Sequence, residues 1–191
     1  LISDIVGEFP ELQGIMGSHL SQAQGFDKDV VDAIKEQYLP IGLDSAVPKK
    51  PYSITLSLTD RIDTLTGFFG INEKPSSSKD PYALRRVALG IIRIIAENKK
   101  DLKINDLISY SSNIYLDQGF IFSNDSSPKD VLNFLKDRFR YFLKEKNIRY
   151  DIIEAATKVL NLNMISTVFE KAKSLNKVIN KSIGEDIISS Y

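Results

Sequence analysis

From Ile54 onward the apolar positions Ile54, Leu58, Ile62, Leu65 and Phe69 fall at intervals of four, four, three and four. This spacing lays side chains along one stripe of an α-helix. Asp60, Asp63, Thr64 and Gly67 recur at i, i+3, i+4 and i+7 on another face of the same helix. Gly70 ends it, and the polar run NEKPSSSK follows as a loop. Asp80-Pro81 then predicts a second helix over 81–98, with Asp80 as its cap and Pro81 in the first position, where a missing N–H costs nothing. Leu84, Val87, Ala88, Leu89, Ile91, Ile92, Ile94 and Ile95 make that helix apolar on nearly every side, which places it at the centre of a bundle. Its polar stripe is narrow: Tyr82, Arg86, Gly90, Arg93 and Glu97, with Arg85 beside it. Lys99, Lys100 and Lys103 stand at its C-terminal end, where they complement the helix dipole.

The rest of the chain is helical in pattern too. A short helix over 2–9 stops at Pro10, which opens a second helix carrying Leu12, Ile15, Met16, His19, Leu20 and Ala23, with Gly14 and Gly17 allowing a close neighbour and Gly25 closing it. Asp27 caps a third helix with Val30, Val31, Ile34 and Tyr38 as its stripe, and Pro40, Pro48 and Pro51 bound a loop. Further helices are expected over 104–116, 128–146, 151–160, 163–178 and 185–191. In the 128–146 helix Val131, Phe134, Leu135, Phe139 and Phe142 face inward, and Lys136, Arg140 and Lys144 outward. Only the GFIF run at 119–122 offers a strand-like pattern. The SNDSSPKD segment at 123–130 marks the best internal boundary. The expected fold class is therefore all-α.

Composition narrows the function classes. The chain has 191 residues, 42% hydrophobic and 26% charged, in the range of globular proteins rather than disordered ones. No apolar run approaches the roughly 20 residues that span a bilayer. Without cysteine there are no disulfides or thiolate metal sites. The 25 basic and 25 acidic residues cancel, so any polyanion must be drawn by a local patch. Leu1 starts inside a helical pattern with neither methionine nor signal features, as expected of a piece of a longer protein.

The charges between 58 and 97 are the first candidates for chemistry. Asp60 and Asp63 share a helical face and suit either a division of acid and base roles or, preferably, bidentate pairing with Arg85 or Arg86 on the adjoining helix. Asp60, Asp63 and Arg85 are accordingly expected as structural ion pairs, with Asp60→Ala costing roughly 3–5 kcal/mol through a stranded buried charge. His19 shares a face with Leu12, Ile15 and Met16 and is expected as a partly buried, hydrogen-bonded histidine. GIMG and GFFG are packing or terminating glycines, not a phosphate loop, and no nucleophile motif accompanies the histidine. No catalytic residue is assigned.

The segments LISDIVGEFPELQGIMGSH, DKDVVDAIKEQYLP, LTDRIDTLTGFFGI and SSKDPYALRRVALGIIRII, and later NFLKDRFRYFLKEKNIRYDIIEA, cover most of the chain. In order and spacing they resemble the central region of the beta subunit of bacterial-type glycyl-tRNA synthetase. The resemblance implies an HD-like helical bundle over 1–118 and a smaller helical connector over 119–191, leading to an anticodon-binding domain beyond Tyr191. It also implies a cytoplasmic alpha2beta2 enzyme that attaches glycine to tRNA(Gly). In that enzyme the alpha subunit uses ATP with magnesium to activate glycine, and the beta subunit recognises tRNA. The fragment alone is expected to be inactive and to hold no cofactor.

HD phosphohydrolases hold divalent ions with an H…HD…D set, in which imidazoles and carboxylates together activate a water. Here His19 is the sole histidine and is followed by Leu20, and Asp60 resembles only the last Asp, so no metal site is expected. For tRNA the basic candidates are Arg61, Lys74, Lys79, Arg86 and Arg93, around the Ser76–Ser78 hydroxyls and the helix opening at Asp80, although Asp80 itself opposes an anion there. Arg93 also has an ordinary partner in Glu97 at i+4. Lys136, Arg138, Arg140 and Lys144 form a second candidate surface. The alternatives are a purely structural helical scaffold and, less well supported, an HD-type phosphohydrolase.

Overall fold

The computed structural model describes residues 5–42, 44–123 and 127–179. The helix expected over 185–191 lies outside the described residues, as do 2–4 of the first one. The elements in chain order are α1 (Ile5–Glu8), a 3-10 turn (Pro10–Leu12), α2 (Ile15–Ala23), α3 (Lys28–Glu36), α4 (Pro51–Gly70), α5 (Leu84–Glu97), α6 (Ile104–Asp117), α7 (Ser127–Glu145), α8 (Tyr150–Lys158), a second 3-10 turn (Leu162–Met164) and α9 (Ile165–Ile179). No strand occurs among the described residues, and none of their helices is long and apolar enough to cross a membrane.

α5 is the axis of the bundle, as its all-round apolarity requires. Ile91, Ile92 and Ile94 are 0% exposed, and Leu84, Ile95 and Ala96 1%. α4 packs along it on one side and α7 and α9 on others, while α6 leans on α4 and α7, and α8 on α7 and α9. Leu58, Ile62, Leu65 and Phe69 of α4 meet Leu135, Phe139 and Phe142 of α7 and Ile165 and Phe169 of α9 in one continuous core. Each fully buried isoleucine contributes about 1.5–3 kcal/mol, against about 0–1 for a surface ion pair, so apolar burial decides this arrangement.

Several helix boundaries differ from the periodicity. The helix expected from Pro10 is interrupted at Gly14, whose φ of 79° an L side chain avoids and whose added Cβ would lie 2.8 Å from the Lys35 carbonyl oxygen. Asp27 makes no side-chain cap to α3. α5 begins at Leu84 rather than Pro81, because residues 81–83 form a turn that closes on Ala83 at φ 52°. Asp80 nonetheless caps it, accepting from the Leu84 and Arg85 N–H groups at 2.8 and 3.0 Å. The GFIF run is not a strand: the Phe120 and Phe122 rings pack at a tilt against Tyr115, and Phe122 lies against Gly70 where a Cβ would meet its ring at 2.4 Å.

His19 is exposed and has no hydrogen-bond partner among the described residues, which corrects the expectation of a partly buried histidine. Its helix packs chiefly against α3, and within it only Ser18 is buried.

Candidate functional site

The polar stripe between α4 and α5 is built from small residues and arginine. Ser53, Ser57 and Arg61 recur every four residues on α4 and are 0%, 0% and 7% exposed. Arg61 fits because the facing position on α5 is Gly90; a Cβ there would lie 2.9 Å from the guanidinium carbon. Its Nη2 donates to the Tyr38 carbonyl at 2.8 Å and the Pro40 carbonyl at 3.3 Å, and its Nε to Ser57 Oγ at 3.3 Å. Burial pulls the Arg61 pKa below its ordinary value, partly opposed by the nearby Asp60 charge.

Arg93, one helical turn along from Gly90, holds the next part of the same loop. Its Nη1 donates to the Gly42 carbonyl at 2.5 Å, its Nη2 to the Ser45 carbonyl at 2.7 Å, and its Nε to Glu97 at 2.8 Å. The expected i+4 pair is therefore present. Arg61 and Arg93 face inward onto loop carbonyls. This corrects their placement on the surface: they tie the Tyr38, Pro40, Gly42 and Ser45 carbonyls to α4 and α5.

Asp60 and Asp63 are both exposed, and no ion pair joins either to Arg85 or Arg86 among the described residues. The expected Asp–Arg pairing across the two helices is thus absent there, because α4 turns Arg61 rather than its acidic neighbours toward α5. Arg85 instead lies 3.8 Å from Asp80 and donates to the Ser76 carbonyl. Tyr115 sits against Gly67 and donates to the Asp63 carbonyl at 3.4 Å; desolvation first, then the hydrogen bond and charge of Asp63, push its phenol up to about 12.

The Ser-Lys loop is occupied by its own contacts. Ser76 and Lys79 exchange backbone bonds through Ser76 N–H to the Lys79 carbonyl and Lys79 N–H to Ser76 Oγ. Asp80 already takes two N–H groups of the opening turn of α5. Lys74 pairs with Asp130 of α7 at 2.6 Å. Lys79 is exposed, but the helix N-terminus beside it is already filled by a carboxylate.

Basic side chains converge instead in a cleft of about 540 Å³ lined by Pro40, Ile41, Gly42, Arg85, Arg86, Leu89, Gly90, Arg93, Arg138 and Tyr141. Among the described residues four arginines line it and no carboxylate does. Arg86 is exposed and has no ion-pair partner among the described residues. Arg138 comes from α7, its guanidinium carbon 5.6 Å from the Phe134 ring centre and 5.7 Å from that of Tyr141. Its Nε is buried without a hydrogen-bond acceptor. Its guanidinium thus brings a positive charge to the cleft with no ion-pair partner among the described residues.

The cleft thus unites Arg86 with Arg138, which the sequence assigns to separate surfaces, and omits Lys74 and Lys79. Tyr141 and the Pro40–Gly42 wall carry no sequence signal of a site. The i, i+3 spacing of Arg138 and Tyr141 puts them on one face of α7, but only the packing of α7 on α5 reveals what that face meets. Among the described residues no group of three or more His, Cys, Asp or Glu side chains is arranged to hold a metal ion.

A family model described as glycyl-tRNA synthetase beta subunit matches residues 1–158. Over its whole length the chain is 36% identical to a protein of Ruegeria sp. (strain TM1040) and 41% identical to one of Rickettsia canadensis (strain McKiel), each named glycine–tRNA ligase beta subunit. A protein of that name from Phenylobacterium zucineum (strain HLK1) is 38% identical. These matches cover 100% of this chain but 26%, 27% and 26% of the respective relatives, so the chain spans about a quarter of their length. By the extent of the family match and the identity along its whole length, the chain belongs to the glycyl-tRNA synthetase beta subunit family.

Proposed function

We propose that this chain contributes tRNA(Gly) recognition to a glycine–tRNA ligase, acting beside an alpha subunit that uses ATP with magnesium to activate glycine. The observation that carries this is the arginine-lined cleft between α5 and α7, with no carboxylate among the described residues of its lining. Arg86 and Arg138 are the residues to meet phosphate oxygens, since neither is neutralised by an ion pair among the described residues. Arg85 is shared with Asp80 and adds a weaker contact, while Arg61 and Arg93 hold the wall. The protein supplies binding and positioning; the bond-forming chemistry belongs to the alpha subunit.

In the assembled enzyme, the Arg86→Ala/Arg138→Ala double variant tests this reading. Each lost charge-assisted hydrogen bond is worth about 1.5–3 kcal/mol, so the KM for tRNA should rise by about tenfold or more per arginine. Glycine-dependent pyrophosphate exchange, which needs no tRNA, should be unchanged. Unaltered tRNA charging would instead support the scaffold reading, for which the neutral net charge and the structural use of Arg61 and Arg93 speak.

A further inference from the structure

Two kinds of RNA contact make different demands on a protein surface. A duplex is gripped through phosphates and 2′-hydroxyls along its outside, by side chains spread over an open face. An unpaired nucleotide needs a concavity with a charged part for its phosphate and an apolar or aromatic wall for its base. The cleft has the second character. Its volume, about 540 Å³, lies in the range of pockets that enclose small organic groups. Beside the arginines stand Pro40, Ile41, Leu89 and Tyr141. Ile41 is 61% exposed and Tyr141 38% exposed, so neither is spent on the core.

The wall is also built before any ligand arrives. Arg61 and Arg93 fasten the Tyr38, Pro40, Gly42 and Ser45 carbonyls, and Gly90 gives the Arg61 guanidinium the room to do so. A preformed site loses less entropy when it captures a flexible strand. Arg138 already lies over the Tyr141 ring, 5.7 Å from its centre, so a cation–π contact holds the two side chains together.

We propose that the cleft seats one unpaired nucleotide of an RNA strand, its phosphate held by Arg86 and Arg138 and its base packed against Tyr141, Ile41 and Leu89. This rests on the tRNA-contact reading above and specifies which part of an RNA the site accepts. Base stacking on an aromatic side chain is worth about 1–3 kcal/mol, enough to separate strand from duplex.

The test measures fluorescence anisotropy of the 191-residue chain, at low salt, with a short labelled single-stranded RNA and with a blunt RNA duplex. Adenosine monophosphate serves as competitor. The single strand should bind about tenfold tighter than the duplex, Tyr141→Ala should remove about that factor, and Tyr141→Phe, which keeps the ring, should not. Arg86→Ala should weaken single-strand binding. Equal affinity for strand and duplex, no single-strand binding, or unchanged binding by Tyr141→Ala would each overturn the proposal. So would displacement by the mononucleotide at concentrations matching the strand's own affinity, which would make this a free-nucleotide site. If the double arginine variant raises the KM for tRNA while Tyr141→Ala leaves strand binding intact, only the nucleotide assignment falls. If the double variant leaves the KM unchanged, the tRNA reading falls with it.

Discussion

At the scale of single residues, one arginine does what two aspartates were expected to do. Arg61 is the buried charge of α4, and its partners are backbone carbonyls rather than carboxylates. Arg61→Ala strands those carbonyls and should cost about 3 kcal/mol in chemical denaturation. Asp60→Ala, at an exposed position, should stay within about 0.5 kcal/mol, far below the cost of a stranded charge. The sequence contained a sign of this in Ser53, Ser57 and Arg61, a small-polar stripe beside the apolar one. What it did not reveal was that Gly90 on the other helix faces Arg61 and gives the guanidinium its room.

Tyr115 adds a pH signature at the same scale. Its phenol is pushed up to about 12 by desolvation and by Asp63, so between about pH 10 and 12 the unfolded chain loses this proton and the folded one keeps it. Stability should therefore be fully present below pH 10 and fall through that window. Thermal melts of Tyr115→Phe should show a shallower alkaline decline than the wild type; parallel declines would contradict the assignment.

At the scale of elements, the helices were legible because each carries a 3.6-residue period strong enough to survive poor local propensity, as the isoleucine-rich α5 demonstrates. Their ends were less so. Asp80-Pro81 signalled a helix start correctly, yet the carboxylate reaches forward over a turn to Leu84 and Arg85, and Pro81 stays outside the helix. Asp80→Ala should lower stability by about 1 kcal/mol, the usual worth of a cap, read from the denaturation midpoint at an unchanged slope. Because that cap fills the N–H groups of the opening turn, the Ser-Lys loop has little to offer an anion, and the contact proposed above lies in the α5–α7 cleft instead.

At the scale of the molecule, the class of fold follows from the pattern and the cleft does not. α5 and α7 are separated by 29 residues of chain that include α6. Only tertiary packing brings Arg138 to Arg86, so no spacing rule could have joined them. A zero net charge is compatible with the proposed RNA contact: cancellation over the whole chain leaves a local arginine cluster with no carboxylate among the described residues that line the cleft. Since α4, α5, α7 and α9 share one core, unfolding followed by circular dichroism and by tyrosine fluorescence should coincide in a single transition.

The most direct measurement is a titration of the 191-residue chain with tRNA(Gly) at low and moderate salt, comparing the wild type with the Arg86→Ala/Arg138→Ala variant. Each phosphate neutralised releases counterion, so wild-type affinity should fall steeply with salt, and the variant should bind more weakly with a slope shallower by about 1.4–1.8. Binding that ignores salt, or a variant whose affinity and slope match the wild type, would contradict the claim that this cleft meets tRNA.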